Sequence, residues 1–174
     1  NIFNDDIVVF KRITFAHNKN KNSTYNIVNF MNDVFQYCIE KPICLTKINL
    51  SNTNIDDDGL ILWCKTILAR NNYKNYGIES LNLSFNKKLT DKSMVLLFSV
   101  IGTKFNSIKH LDISNTNVTN NTCDIITNFV VSYYKTNNEK MPLKSLNISR
   151  CKKINDFGIF PLKRLMLRLM FESY

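Results

Sequence analysis

Residues 110–117 read HLDISNTN, which sets His110, Asp112 and Ser114 two apart. On an extended strand alternate side chains share a face. An imidazole, a carboxylate and a hydroxyl would project together there, the residue types of a hydrolase triad. A triad bonds its three groups in series, however, and same-face neighbours on one strand stand roughly 6.5–7 Å apart at Cα and splay. No glycine-rich turn follows to lift the serine or supply an oxyanion hole. The expectation is no catalytic residue, and no enzyme. The run Asp56-Asp57-Asp58 has the acidity of a cation site. A calcium loop would need further oxygen ligands at fixed spacing, and they are absent, so the run reads as the capped first turn of a helix, complementing its dipole. The cysteines are Cys38, Cys44, Cys64, Cys123 and Cys151, an odd number with no CxxC and only two histidines to join them. Reduced, mostly buried thiols are expected rather than disulfides or zinc. No metal and no cofactor is expected.

What places His110, Asp112 and Ser114 is a repeat. IKHLDISNTNV, from Ile108, has relatives in LTKINLSNTNI from Leu45, IESLNLSFNKKL from Ile78, LKSLNISRCKKI from Leu143, and a degenerate copy, FKRITFAHN, from Phe10. Each has apolar residues at positions 1, 4 and 6, and successive starts lie 35, 33, 30 and 35 residues apart. A period in this range is the signature of a solenoid. Positions 3, 5 and 7 of the other copies are Arg12-Thr14-Ala16, Lys47-Asn49-Ser51, Ser80-Asn82-Ser84 and Ser145-Asn147-Ser149. The serine of the apparent triad is thus one rung of a serine ladder, and Asp112 stands where other copies have Asn.

Between the copies lie helical patterns. Ile27, Phe30, Met31, Val34, Phe35 and Cys38 recur at helical spacing, as do Leu60, Cys64, Ile67 and Leu68. So do Met94, Leu97, Phe98 and Ile101, and Ile126, Phe129, Val130 and Tyr133. Asp56, Thr90, Thr119 and Asn155 stand where helices should start. The inward residues of the short strands are Ile13, Phe15, Ile48, Leu50, Leu81, Leu83, Leu111, Ile113, Leu146 and Ile148.

The form L-x-x-L-x-L-x-x-N/C/T-x-L resembles the leucine-rich repeat family over about residues 10–160. Position 9 is Asn18, Thr53, Asn86, Thr116 and Cys151. Asn86 and Cys151 are each followed by one extra residue, and this with INDFGI after Cys151 is similar to the cysteine-containing and ribonuclease-inhibitor-like subclasses. The resemblance implies a right-handed α/β solenoid of about five repeats, with a parallel sheet on the concave face and helices on the convex one. It also implies that Asn or Cys at position 9 bonds neighbouring backbone, with Thr doing so less well.

The expected organisation is a single domain over 1–174. Residues 1–9 would cover the first strand, and a capping helix would occupy 161–174, starting at Pro161, a residue suited to a first turn. A further repeat through Leu162, Leu165 and Leu167 is the competing reading of that end. The sequence does not begin with Met, so a piece of a longer protein is expected. No window approaches the roughly 18 uninterrupted apolar residues of a membrane helix. NIFNDDIVVF has no basic run of the kind that opens a signal peptide. An intracellular place, cytoplasmic or nuclear, follows as the expectation.

The net charge is +9 and Asn occurs 26 times. Both Asn and Lys use A-rich codons, so the charge is weak grounds for a nucleic-acid partner. Members of the resembled family usually bind proteins through the concave sheet and its rim. Here that sheet would display Arg12, Lys47, Asn49, Asn82, Phe85, His110, Asp112, Asn147 and Arg150. The expected function is a non-catalytic protein-interaction module, a scaffold or adaptor. Five strands give a flat patch of only a few hundred Å², against the roughly 800 Å² per partner of a stable interface, so loops 17–24, 71–77 and 135–142 are expected to join in. Two alternatives stand: polyanion binding by the basic surface, and regulation of an enzyme such as a GTPase, whose regulators in this class carry acidic tracts missing here.

Overall fold

The computed structural model describes residues 12–15, 28–33, 45–69, 77–137 and 141–171. The chain runs through β1 (Arg12–Thr14), a helical stretch at 28–33, β2 (Lys47–Asn49), α1 (Asp57–Leu68), β3 (Ser80–Asn82) and α2 (Asp91–Thr103). It continues through β4 (His110–Asp112), α3 (Asn120–Asn137), β5 (Ser145–Asn147) and α4 (Asp156–Phe171). The strands form one parallel sheet in sequence order. Ile13, Ile48, Leu81, Leu111 and Leu146 stand in one register row across it. A helix lies between successive strands and the sheet stays open, so the architecture is an α/β solenoid. The degenerate copy contributes β1. Phe10, residues 1–9 and 172–174, Ile27, Val34, Phe35, Cys38, Cys44 and most of the loop segments lie outside the described residues.

The strands are three residues long because the repeat allows only positions 3 to 5 to be extended before the chain turns. Pairing nevertheless continues past them: Leu50, Leu83 and Ile113 donate their N–H to Asn82, Asp112 and Asn147 carbonyls, and Asn52, Phe85 and Asn115 to Ser84, Ser114 and Ser149 carbonyls. Positions 1, 4 and 6 are buried in the three middle repeats. Each side chain removed from water there contributes roughly 1.5–3 kcal/mol. In the β1 and β5 repeats Ile13, Phe15, Leu143, Leu146 and Ile148 are only partly covered, as expected where no further described repeat stacks on one side. The helices close the other layer with Leu60, Trp63, Cys64 and Ile67 from α1, and Met94, Leu97, Phe98 and Ile101 from α2. Cys64, Cys123 and Cys151 are buried free thiols. Burial pushes Cys64 up to about 12 and Cys123 to about 11, so both stay protonated and poorly nucleophilic.

Two polar ladders join the repeats, one buried and one partly buried. In the first, position 9 turns the chain. Asn86 accepts from Thr53 N–H at 2.9 Å and donates to Leu50 and Leu83 carbonyls at 2.8 and 2.9 Å, bridging two repeats. Thr53 and Thr116 give their hydroxyls to carbonyls of their own turns, Leu50 and Ile113. Cys151 reaches back to Ile113 O at 3.4 Å. The expected weaker role of Thr has this cause: a hydroxyl on a short stem makes its close bond in its own turn and meets the neighbouring repeat only at 3.4 Å (Thr53) or 3.5 Å (Thr116), whereas the Asn86 amide spans to the preceding repeat at 2.8 Å.

The second ladder runs along the helix starts. Asp56 caps α1, its carboxylate accepting from Gly59 N–H at 3.0 Å. Asp57, the first helical residue, turns sideways instead. It accepts from Thr90 N–H at 2.9 Å, Thr90 Oγ1 at 2.6 Å and Ser93 Oγ at 2.6 Å, all in the next repeat. Asp91 repeats the arrangement with Thr119 N–H at 2.8 Å, Thr119 Oγ1 at 2.7 Å and the Thr122 hydroxyl. At the last rung Asn120 exchanges bonds with Asn155, donating to its Oδ1 at 2.8 Å and accepting from its N–H at 3.0 Å. Gly158 holds the place that Ser93 and Thr122 hold in the other rungs. A Cβ there would stand 2.4 Å from Asn120 Oδ1. Helix propensity favours Ala over Gly by up to about 1 kcal/mol. Even so, Gly158→Ala is expected to lower stability, by about 1 kcal/mol, because Asn120 must release the Asn155 N–H. A rise in melting temperature would show that this rung contributes nothing.

One boundary differs from expectation. The helix read as starting at Pro161 begins at Asp156, and Pro161 lies inside it. Asn155 supplies the start: its Oδ1 accepts from Phe157 N–H at 3.1 Å and its carbonyl from Gly158 N–H at 3.0 Å. A proline inside a helix removes one bond to the residue four before it, yet α4 runs on through Pro161 to Phe171. Leu162 is buried and Leu165 partly so, while Phe157 and Phe160 are exposed.

Candidate functional site

The register sorts the sheet's open side into two rows. Position 3 gives Arg12, Lys47, Ser80, His110 and Ser145; position 5 gives Thr14, Asn49, Asn82, Asp112 and Asn147. Each row is exposed or half-exposed, while position 4 between them is buried wherever a repeat has neighbours on both sides. Seven of the nine residues singled out in the sequence therefore share one face. Phe85 and Arg150 sit in the turns that follow β3 and β5. Position 7, expected on the same face as positions 3 and 5, departs from that in two repeats: Ser84 and Ser114 are buried, while Ser51 is half-buried and Ser149 exposed. All four serines share one local turn. The side chains of Asn49, Asn82, Asp112 and Asn147 accept from the N–H of Ser51, Ser84, Ser114 and Ser149 at 3.0, 2.9, 2.8 and 3.1 Å. These Asx turns draw position 7 back toward the turn; the serine is buried there in the β3 and β4 repeats, and it is not in the β2 and β5 repeats.

That bonding also resolves the apparent triad. His110 Nδ1 lies 2.8 Å from Ser145 Oγ on the neighbouring strand. Asp112 commits Oδ1 to Ser114 N–H and Oδ2 to Asn147 Nδ2 at 3.1 Å. Among the described residues no carboxylate is hydrogen-bonded to the imidazole, and Ser114 is buried. The three acids at 56–58 are likewise each committed, to a cap, to the helix ladder and, for Asp58, to Lys92 at 2.8 Å. Among the described residues no group of three or more His, Cys, Asp or Glu is placed to hold a metal ion.

Since the position 5 carbonyl oxygens are committed to Asx turns, amide donors are what Asn49 and Asn82 have left to offer. Together with His110, Asp112, Ser145 and Asn147, Asn82 borders a shallow depression of about 250 Å³ on the sheet. A larger groove, about 640 Å³, lies between α2 and α3 on the helical side. It is bordered by Phe98, Phe129 and Tyr133 and by the small residues Ser99 and Gly102, without a charged group, and reads as a gap in helix packing.

Position 8 holds a feature the sequence reading missed. Asn52, Phe85, Asn115 and Arg150 all have left-handed backbone, with φ of 53°, 61°, 54° and 58°. Asn tolerates this conformation; Phe and Arg adopt it rarely and at a cost. Phe85 is also 47% exposed. The signal was available in the alignment of repeats, where Asn at position 8 of two copies marks a turn that Phe and Arg must also make. A second omission is the row at position 2. Thr46, Glu79, Lys109 and Lys144 are linked in order by backbone bonds of 2.8 Å. Lys109 bonds Glu79 and, with Lys47 and His110 nearby, holds that carboxyl below its ordinary range despite partial desolvation.

The repeat geometry agrees with comparison against known families. Residues 41–62, 78–98 and 139–163 match the Leucine Rich repeat family. No curated protein matches the sequence. Domains of this family generally act as non-catalytic modules for protein–protein contact. No helix among the described residues is long and apolar enough to cross a membrane. With three matched stretches, five strands in one parallel register and position 9 bonding the turns, the chain belongs to the leucine-rich repeat family.

Proposed function

We propose that this chain is a non-catalytic interaction module that holds a partner protein on the open face of its sheet. Phe85 carries the reading: a large aromatic, half-exposed, held in a backbone conformation that costs stability, at the rim of a polar face. Strain of this kind persists where function selects the side chain, and exposed aromatics are the usual anchors of protein interfaces. Asn49, Asn82, His110, Asp112 and Asn147 supply polar complementarity around it, with Arg12 and Lys47 at one end and Arg150 beyond the last strand. Residues 1–174 act as one domain, with the loops adding to an otherwise small patch. Buried, protonated thiols favour a reducing compartment, cytoplasm or nucleus.

Phe85→Asn tests this. Asn is the residue two other repeats use at this position, so stability should stay level or rise, by up to about 1 kcal/mol. Affinity capture from native lysate with mass spectrometry should lose at least one protein relative to the unchanged bait. The same captured set from both baits, at equal melting temperature, would remove Phe85 as the anchor.

A further inference from the structure

We infer that the partner presents an acidic, extended segment to the strand-entry edge of the sheet. This rests on the open-face reading above and adds its chemistry. Positions 2 and 3 place Arg12, Lys47, Lys109 and Lys144 along that edge, and among the described residues of the two rows Glu79 is the only carboxylate. Arg12 and Lys47 are direct register partners on β1 and β2, and both are exposed. Like charges directly opposite on adjacent strands repel and destabilise a sheet. Glu79 offsets this only in part, since its carboxylate is bonded to Lys109. A carboxylate brought by a partner removes the repulsion and gains two cations at once. Next to this edge the amides of Asn49 and Asn82 offer donors, which suit carboxylates and main-chain carbonyls alike. Five strands at about 4.8 Å span a width that seats roughly six residues of extended peptide.

Nucleic acid fits the same edge less well. Single strands are held by aromatic platforms in a continuous basic groove. Here the exposed aromatic of the face, Phe85, lies at the opposite rim, and Asp112 interrupts the middle of the sheet.

The experiment uses the full chain and fluorescence anisotropy with two labelled probes, a peptide of alternating Glu and Ser and an oligothymidylate. Two double variants carry the same change of net charge: Arg12→Glu with Lys47→Glu on the sheet edge, and Lys65→Glu with Lys135→Glu on α1 and α3. Equal melting temperatures are required of both, and Arg12→Gln with Lys47→Gln serves as the milder edge variant. The acidic peptide should bind the unchanged chain more tightly than the oligothymidylate does. The edge reversal should weaken it roughly tenfold or more, while the helix reversal leaves it within about twofold. Equal weakening by both reversals would reduce the binding to net charge and overturn the inference, as would tighter binding of the oligothymidylate at the same edge. The two readings fail separately. If Phe85→Asn abolishes capture while the edge variants do not alter peptide binding, the acidic partner is wrong and the open face stands. If the edge variants matter and Phe85→Asn does not, the anchor is wrong and the acidic edge stands.

Discussion

Asn86→Ala is expected to cost about 3 kcal/mol, seen as a lower urea midpoint with an unchanged slope. The side chain is fully buried and makes its bonds in two directions. It satisfies Thr53 N–H and the Leu50 carbonyl in the preceding repeat, and the Leu83 carbonyl in its own. Alanine would strand the Thr53 N–H and the Leu83 carbonyl in a turn that water does not reach, while the Leu50 carbonyl keeps the Thr53 hydroxyl, and an unmet buried donor or acceptor costs about 1–3 kcal/mol. The costs do not add fully, because the turn can relax. Thr116→Ala is the matched comparison. Its hydroxyl bonds one carbonyl of its own turn, Ile113, and otherwise makes a weak 3.5 Å contact with the Cys151 sulfur, so its loss should be nearer 1 kcal/mol. In a solenoid each repeat contacts only its neighbours, so the damage should be local. Amide exchange should quicken at Thr53 and around β2 and β3 more than in α4. A loss no greater than that of Thr116→Ala would mean that Asn86 holds its own turn and does not join two repeats.

Position 9 shows what the sequence makes legible. A repeat pattern averages over copies, so whatever every copy needs stands out: apolar residues at positions 1, 4 and 6, a capping residue before each helix, a polar residue at the turn. From these the strands, their parallel order and the helices follow. What differs from copy to copy, or joins residues some 30 apart, does not stand out. Asp57 illustrates the point. Beside Asp56 and Asp58 it reads as one more acid complementing a helix dipole, and nothing local says that it turns to Thr90. The exchange of Asp, Thr and Ser or Thr for Asn120, Asn155 and Gly158 becomes visible only once the helix starts are side by side. Phe85 is the same problem at the site. Its exposure could be guessed, but its left-handed backbone was signalled only indirectly, by Asn at the same position of two other copies, and that conformation separates an anchor from an ordinary surface aromatic. The row of Glu79, Lys109 and Lys144 escaped notice because position 2 lies just outside the strand, where alternation says nothing about direction.

The helix-start ladder gives the second large effect, with a pH signature. Burial alone would push the Asp91 carboxyl up. Hydrogen bonds from Thr119 N–H and from the Thr122 and Thr119 hydroxyls outweigh it and hold the group below the ordinary aspartate range. The charged form is thus the one the fold stabilises. Its contribution is complete above the unfolded value of about 3.9 and is lost as pH falls through the lower folded value. Asp91→Asn keeps the size but turns two amide hydrogens toward donors, and should cost about 2 kcal/mol at neutral pH. The gap between variant and parent should hold steady down to about pH 5 and then close as the parent's carboxyl protonates. Asp58 provides the contrast. Its carboxyl is also held low, by Lys92, but the side chain is 85% exposed. An exposed pair is screened by salt, whereas the Asp91 bonds are fixed by backbone and neighbouring hydroxyls. Urea unfolding between about pH 3 and pH 7, in low and high salt, separates the two. The Asp91→Asn deficit should survive high salt at neutral pH and vanish in acid. A deficit that salt removes, or that does not change with pH, would mean that Asp91 acts only as a surface charge near a helix end.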